Sequence, residues 1–135
     1  GRISGPLMDR FDLRIEVPPV GYTDLDLPAS GDTSAQVAER VAAARAVQAR
    51  RFSGSDGMRL NADAEGEMLD RIAMPDAEGR ALLGRVAERF GLTARGYHRV
   101  LRVARTIADL AGAESVASSH IAEAVSYRLV GVREN

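Results

Sequence analysis

Hydrophobic residues recur every three or four positions through residues 93–112 (TARGYHRVLRVARTIADLAG), which predicts a helix with two separate faces. Val100, Val103, Ala104, Ile107, Leu110 and Ala111 fall on the apolar side. Arg95, Arg99, Arg102 and Arg105 fall on the other, with His98 among them. Thr93 can cap the free amides of the first turn, and Gly112 suits the left-handed position that ends a helix.

The same period marks four further segments. Residues 33–51 predict a long helix capped by Thr33 or Ser34, with Val37, Val41, Ala44 and Gln48 on one side and Arg40, Arg45 and Arg51 flanking it. Residues 52–63 form a loop rich in Gly, Ser and Asp, and residues 64–73 a short helix through Met68, Leu69 and Ile72. Pro75 suits the first position of a helix running through Leu82, Leu83, Val86, Ala87 and Phe90 to Gly91. Ser118 would cap a last helix over residues 118–130, turning Ile121, Ala122, Val125 and Leu129 inward. The expected fold is all-α, a bundle of four main helices plus one short one.

Residues 1–32 break this pattern. Leu13, Ile15 and Val17 alternate with Asp12, Arg14 and Glu16 like one short strand, which Pro18-Pro19 stops. Residues 21–32 read as a linker. A lone strand needs a sheet to satisfy its backbone, and no second strand follows. It either pairs with another chain or belongs to a sheet outside this stretch, and the second is favoured. Residues 1–32 are thus expected to be an extended, largely disordered segment in isolation, with a helical domain over 33–135.

Composition narrows the chemistry. With 135 residues the chain is one domain with a modest core. Without cysteine, disulfides and thiolate metal sites are excluded. His98 and His120 lack partners at metal-ligand spacing, so no metal site is expected. No apolar run approaches the ~20 residues that span a bilayer, so the expected setting is soluble and cytoplasmic, with no membrane partner. The chain begins with Gly and so reads as a piece of something longer.

Net charge is −1, but its distribution is uneven. Residues 1–32 hold three arginines and six acids, whereas residues 80–105 hold seven arginines and one acid, Glu88. All 18 basic residues are arginine. That local excess suits a solvated basic face, a nucleic-acid surface or a contact with nucleotide phosphate. Aromatic residues for base stacking are sparse there, Tyr97 being the close one. Arg95 is the best-placed phosphate ligand, because first-turn amides and the helix dipole already favour anions. No GxxxxGK[ST] sequence is present, nor a hydrophobic run ending in an acidic pair, so the chain alone should neither bind ATP tightly nor hydrolyse it.

Two stretches, residues 2–20 (RISGPLMDRFDLRIEVPPV) and 92–112 (LTARGYHRVLRVARTIADLAG), closely resemble the magnesium-chelatase-like AAA+ ATPases of the YifB/ComM group. RVAAARAVQARR (40–51) and HIAEAVSYR (120–128) match the same family in the same order. Met8 stands where Leu is common, a volume-conserving change. The resemblance implies that residues 1–32 end an AAA+ core that carries the Walker motifs, and that the rest is its C-terminal lid. It implies that Arg10, within LMDRFD, is the arginine finger reaching a nucleotide on the neighbouring subunit. It implies that Arg95 is the sensor-2 arginine touching its own subunit's phosphates, with Arg99 as a further nucleotide-binding candidate. Its cofactors would be ATP and Mg2+ in the full-length protein, with none expected in this fragment. Its partners would be the AAA+ core, neighbouring subunits in a ring, expected to be a hexamer, and DNA. The function implied is ATP-driven remodelling of DNA in a helicase-like role, preferred to magnesium chelation. A free-standing arginine-rich DNA-binding module and a plain interaction bundle are the alternatives.

Overall fold

Thr33 opens the first helix with a reciprocal cap. Its Oγ1 accepts the Gln36 amide at 3.1 Å, while Gln36 Oε1 accepts the Thr33 amide at 2.8 Å. The computed structural model describes residues 7, 10–19, 21 and 31–129. Its helices are α1 (Ser34–Arg51), α2 (Gly66–Ala73), α3 (Ala77–Phe90), α4 (Ala94–Leu110) and α5 (Ser118–Arg128), with a 3-10 turn at Asn61–Asp63. Among the described residues all regular structure is helical, four longer helices and one short, as the periodicity predicts. Residues 13–17 join no ladder.

Helix α4 is the hub. It packs along α5 and receives α1, α2 and the 3-10 turn, while α3 joins chiefly through α5. Leu69, Leu83, Val100, Val116 and Ile121 are buried to 2% exposure or less at the centre. Each such side chain contributes about 1.5–3 kcal/mol when fully removed from water.

Several boundaries differ from the sequence reading for local reasons. Asp76, not Pro75, starts α3: its Oδ1 accepts the Gly79 amide at 2.7 Å. Pro75 instead pairs with Val116 in a parallel bridge, closed by the Asp76 amide donating to the Val116 carbonyl at 3.0 Å. Helix α5 has Ala117 rather than Ser118 at its cap position, and His120 Nδ1 accepts the Ala117 amide at 2.9 Å. On α1 burial reaches only Ala44 and Gln48, while Val37 and Val41 are each 42% exposed. On α5, Ala122 is exposed and Ala124 takes the buried place. Gly91 and Gly112 do end α3 and α4 with φ of +62° and +72°, the left-handed region where a Cβ is strained.

Candidate functional site

Helix α4 starts at Thr93, whose Oγ1 accepts the Gly96 amide at 2.9 Å. Arg95 is therefore the second helical residue, exposed on the first turn. Among the described residues its side chain makes no hydrogen bond or ion pair. The other three arginines on α4 are committed inside the molecule. Arg99 forms an ion pair with Asp12, and its side chain is only 24% exposed. Arg102 Nε donates to the Ala64 carbonyl at 2.8 Å, tying α4 to the segment before α2.

Arg105 leaves the basic face altogether. It is 3% exposed and donates to the carbonyls of Ala113 and Glu114, both at 2.9 Å, and of Ile72 at 3.2 Å. It also pairs with Asp109 at 3.0 Å. The apolar stripe of α4 is broader and shifted: Val100, Leu101, Ala104 and Ala108 are buried, while Leu110 and Ala111 are exposed. Arg105 lies four residues after Leu101 and three before Ala108, which is the buried phase of the helix. That phase was the signal available in the sequence, and the assignment of Arg105 to the outer face missed it.

A buried polar cluster surrounds this pair. Asp109 also accepts Arg51 from α1 and Asn61 Nδ2 at 2.8 Å, and the Asn61 amide donates to Gln48 Oε1 at 2.8 Å. Burial alone would raise the Asp109 carboxyl, but hydrogen bonds from Arg51 and Asn61 and the charge of Arg105 outweigh it and hold it below its ordinary value. Burial pulls Arg105 below the ordinary arginine value, against the attraction of Asp109. Arg51 and Asp109 also border a cleft of about 350 Å³ with Val47, Gly112 and Ala113, but their polar atoms are engaged with one another, which fastens α1 and the loops to α4.

Arg10 stands at an exposed turn where its amide donates to the Leu7 carbonyl at 3.0 Å. Asp12 is engaged by Arg99, and the Arg10 side chain has no partner among the described residues. The residues just after Arg10 lie against the bundle: Arg128 Nη1 donates to the Phe11 carbonyl at 2.7 Å, and the Arg14 amide to the Tyr127 carbonyl at 2.8 Å. Leu13 and Ile15 wall a groove of about 510 Å³ floored by Val103, Ile107 and Leu110. Arg128 also lies beside Gly96, the residue after Arg95. The structure thus brings the neighbours of Arg10 and Arg95 onto one buried guanidinium. Among the described residues no group of three or more His, Cys, Asp or Glu could hold a metal ion. No described helix is long and apolar enough to cross a membrane.

The chain is similar to competence protein ComM of Haemophilus influenzae, 39% identical over 128 residues, which cover 94% of this chain and 24% of that protein. It is 37% identical over 131 residues to the uncharacterized protein YifB of Escherichia coli, covering 96% of this chain and 25% of the relative. An uncharacterized protein of Mycobacterium tuberculosis is 38% identical over 133 residues, 98% of this chain and 26% of its own length. The chain therefore spans about a quarter of the length of these curated relatives. The family model described as magnesium chelatase, subunit ChlI C-terminal, matches residues 31–128. With most of the helical bundle inside that match, the chain belongs to the magnesium chelatase C-terminal family.

Proposed function

We propose that the bundle is the C-terminal lid of a magnesium-chelatase-like AAA+ ATPase, in which residues 1–32 end the core and residues 33–135 form the lid. The lid couples ATP binding and hydrolysis to remodelling of DNA in the cytoplasm, a reading that similarity to a competence protein supports. The observation that carries this reading is Arg95. It is the arginine of α4 without an acceptor among the described residues, and it stands on a capped first turn where the helix dipole favours anions.

The residues fit nucleotide supplied by a core domain. The 135 residues hold no Walker A sequence, so Arg95 and Arg10 would complete a pocket rather than build one. Mg2+-ATP, when bound, supplies the phosphoryl group that is transferred. This chain contributes positive charge where negative charge accumulates, with little reorganisation required. Arg95 would hold a phosphate on its own subunit, so that loss of that phosphate frees the lid, with the segment fastened to it, to shift against the nucleotide. Arg10 would reach the γ-phosphate of the neighbouring subunit in a ring, for which a hexamer is expected. Arg99, tied to Asp12, would enter the pocket only by exchanging that partner.

Exposed Arg80, Arg85 and Arg89 favour a second reading, a DNA-binding face on the bundle itself. Against it, Arg99, Arg102 and Arg105 are spent on internal contacts. DNA binding by the 135-residue chain at 50 and 200 mM salt separates the two. A free-standing module making six or more phosphate contacts would bind at low salt and lose about a thousandfold in affinity across that range. The lid reading expects weak binding at both. A lid serving magnesium chelation instead would show ATP turnover in the full-length protein that branched DNA does not change.

A further inference from the structure

Arg128 closes α5 and is only 2% exposed, although its head carries a full charge. Burying a guanidinium is costly unless its hydrogen bonds are made, and an aliphatic side chain would finish the helix more cheaply. What the guanidinium adds is reach. Its Nη1 crosses to the carbonyl of Phe11, the residue immediately after Arg10.

The path is open because position 96 is glycine. A Cβ there would lie 3.1 Å from Arg128 Nη2 and 3.6 Å from Nε. The same segment is held again one and three residues on, by Arg99 on Asp12 and by the Tyr127 carbonyl on the Arg14 amide. The turn carrying Arg10 is thus fastened to the end of α5 and the start of α4, beside Arg95.

The geometry points to Arg128 as a positioning residue that makes the Arg10 turn and the Arg95 turn one body. This rests on the reading of Arg10 and Arg95 given above and adds a linkage to it. When Arg95 engages phosphate on its own subunit, the motion of α4 carries Arg10 with it toward the neighbouring pocket. Occupancy of one site then sets the finger of the next, through a contiguous chain of contacts.

Arg128→Met keeps a long unbranched side chain and removes the donors. In the full-length protein the Arg14 amide should exchange with solvent at least about tenfold faster, while the amides of residues 100–108 stay protected. In the full-length ATPase kcat should fall about 10- to 100-fold with KM for ATP little changed, and Arg128→Lys should recover part of it. Mixing Arg128→Met subunits with subunits whose Walker A motif is disabled should restore turnover, as the same mixing should for Arg10→Ala, because the intact pocket would borrow a neighbour's finger. Unchanged kcat overturns the inference, and so does a loss that mixing fails to restore while Arg10→Ala is restored. If neither variant is restored, it is the Arg10 reading that fails. Should Arg128→Met lose protection across residues 100–108, Gly96→Ala displaces the guanidinium by a few tenths of an ångström instead; its Cβ would also lie 3.3 Å from Thr93 Oγ1, so unchanged protection of the Gly96 amide checks that the cap beside Arg95 holds. The same fall in kcat is then expected, and normal turnover overturns the inference.

Discussion

Asp109 on α4 grips Arg51 on α1 with both carboxylate oxygens, Nη1 to Oδ2 at 2.8 Å and Nη2 to Oδ1 at 2.7 Å. The Asp109 side chain is fully buried and that of Arg51 16% exposed. Removing the carboxylate takes the anionic partner from two guanidiniums, since Arg105 leans on the same oxygen that accepts Arg51 Nη2. Asp109→Ala should therefore cost about 3–5 kcal/mol, the range for breaking one side of a buried pair. Urea unfolding of the 135-residue chain measures it, and a loss below about 1 kcal/mol would show that α1 is held by other contacts.

Acid should loosen the same joint. Asp109 titrates below the ordinary carboxylate value of 3.8, because its partners outweigh burial. Asp63 does too, because the Arg59 and Leu60 amides both donate to it at 3.0 Å. A carboxyl whose folded value is depressed stabilises fully above its unfolded value, and that contribution fades as pH falls through the folded one. The urea midpoint should be level from about pH 7 to pH 5 and drop below about pH 4, less steeply in Asp109→Asn. A midpoint that stays level down to about pH 2.5 contradicts this assignment.

Two glycines on α3 should respond oppositely to alanine. At Gly79 a Cβ would meet Pro75 Cβ at 3.0 Å, Asp76 Oδ1 at 3.1 Å and, on α5, the buried Ile121 Cγ1 at 3.3 Å. Overpacking of that kind costs about 1–3 kcal/mol and should exceed the gain in helix propensity. Gly84 has nothing within 4 Å of its would-be Cβ, so Gly84→Ala should stabilise by about 0.5–1 kcal/mol. Thermal melts of the two variants check the pair, and a stabilising Gly79→Ala would refute the close approach of α3 to α5.

The helices were legible because their signals are local. Thr93 and Gly112 bracket α4 as their chemistry requires, and the Leu83, Val100, Ile121 and Val125 positions repeat at the helical period. Periodicity could not show how many neighbours a helix has. Helix α4 is packed on several sides, so its buried arc takes in Arg105 and Asp109, which a two-faced reading sends outward. The starts of α3 and α5 depend on Asp76 and His120, side chains whose capping role emerges only when the backbone turns back on them. At the site, the exposed place of Arg95 on a first turn was readable from sequence. The linkage from Arg128 to Phe11 was not, because it joins residues 117 positions apart across Gly96.

If Arg95 holds nucleotide phosphate, ATP turnover by the full-length protein, wild type against Arg95→Ala, with and without branched DNA, registers its loss. Loss of one charge-stabilising contact in phosphoryl transfer should lower kcat by about 10²-fold or more while the ring still assembles. Normal hydrolysis by Arg95→Ala with loss of DNA binding would contradict the account and make the basic surface a nucleic-acid face.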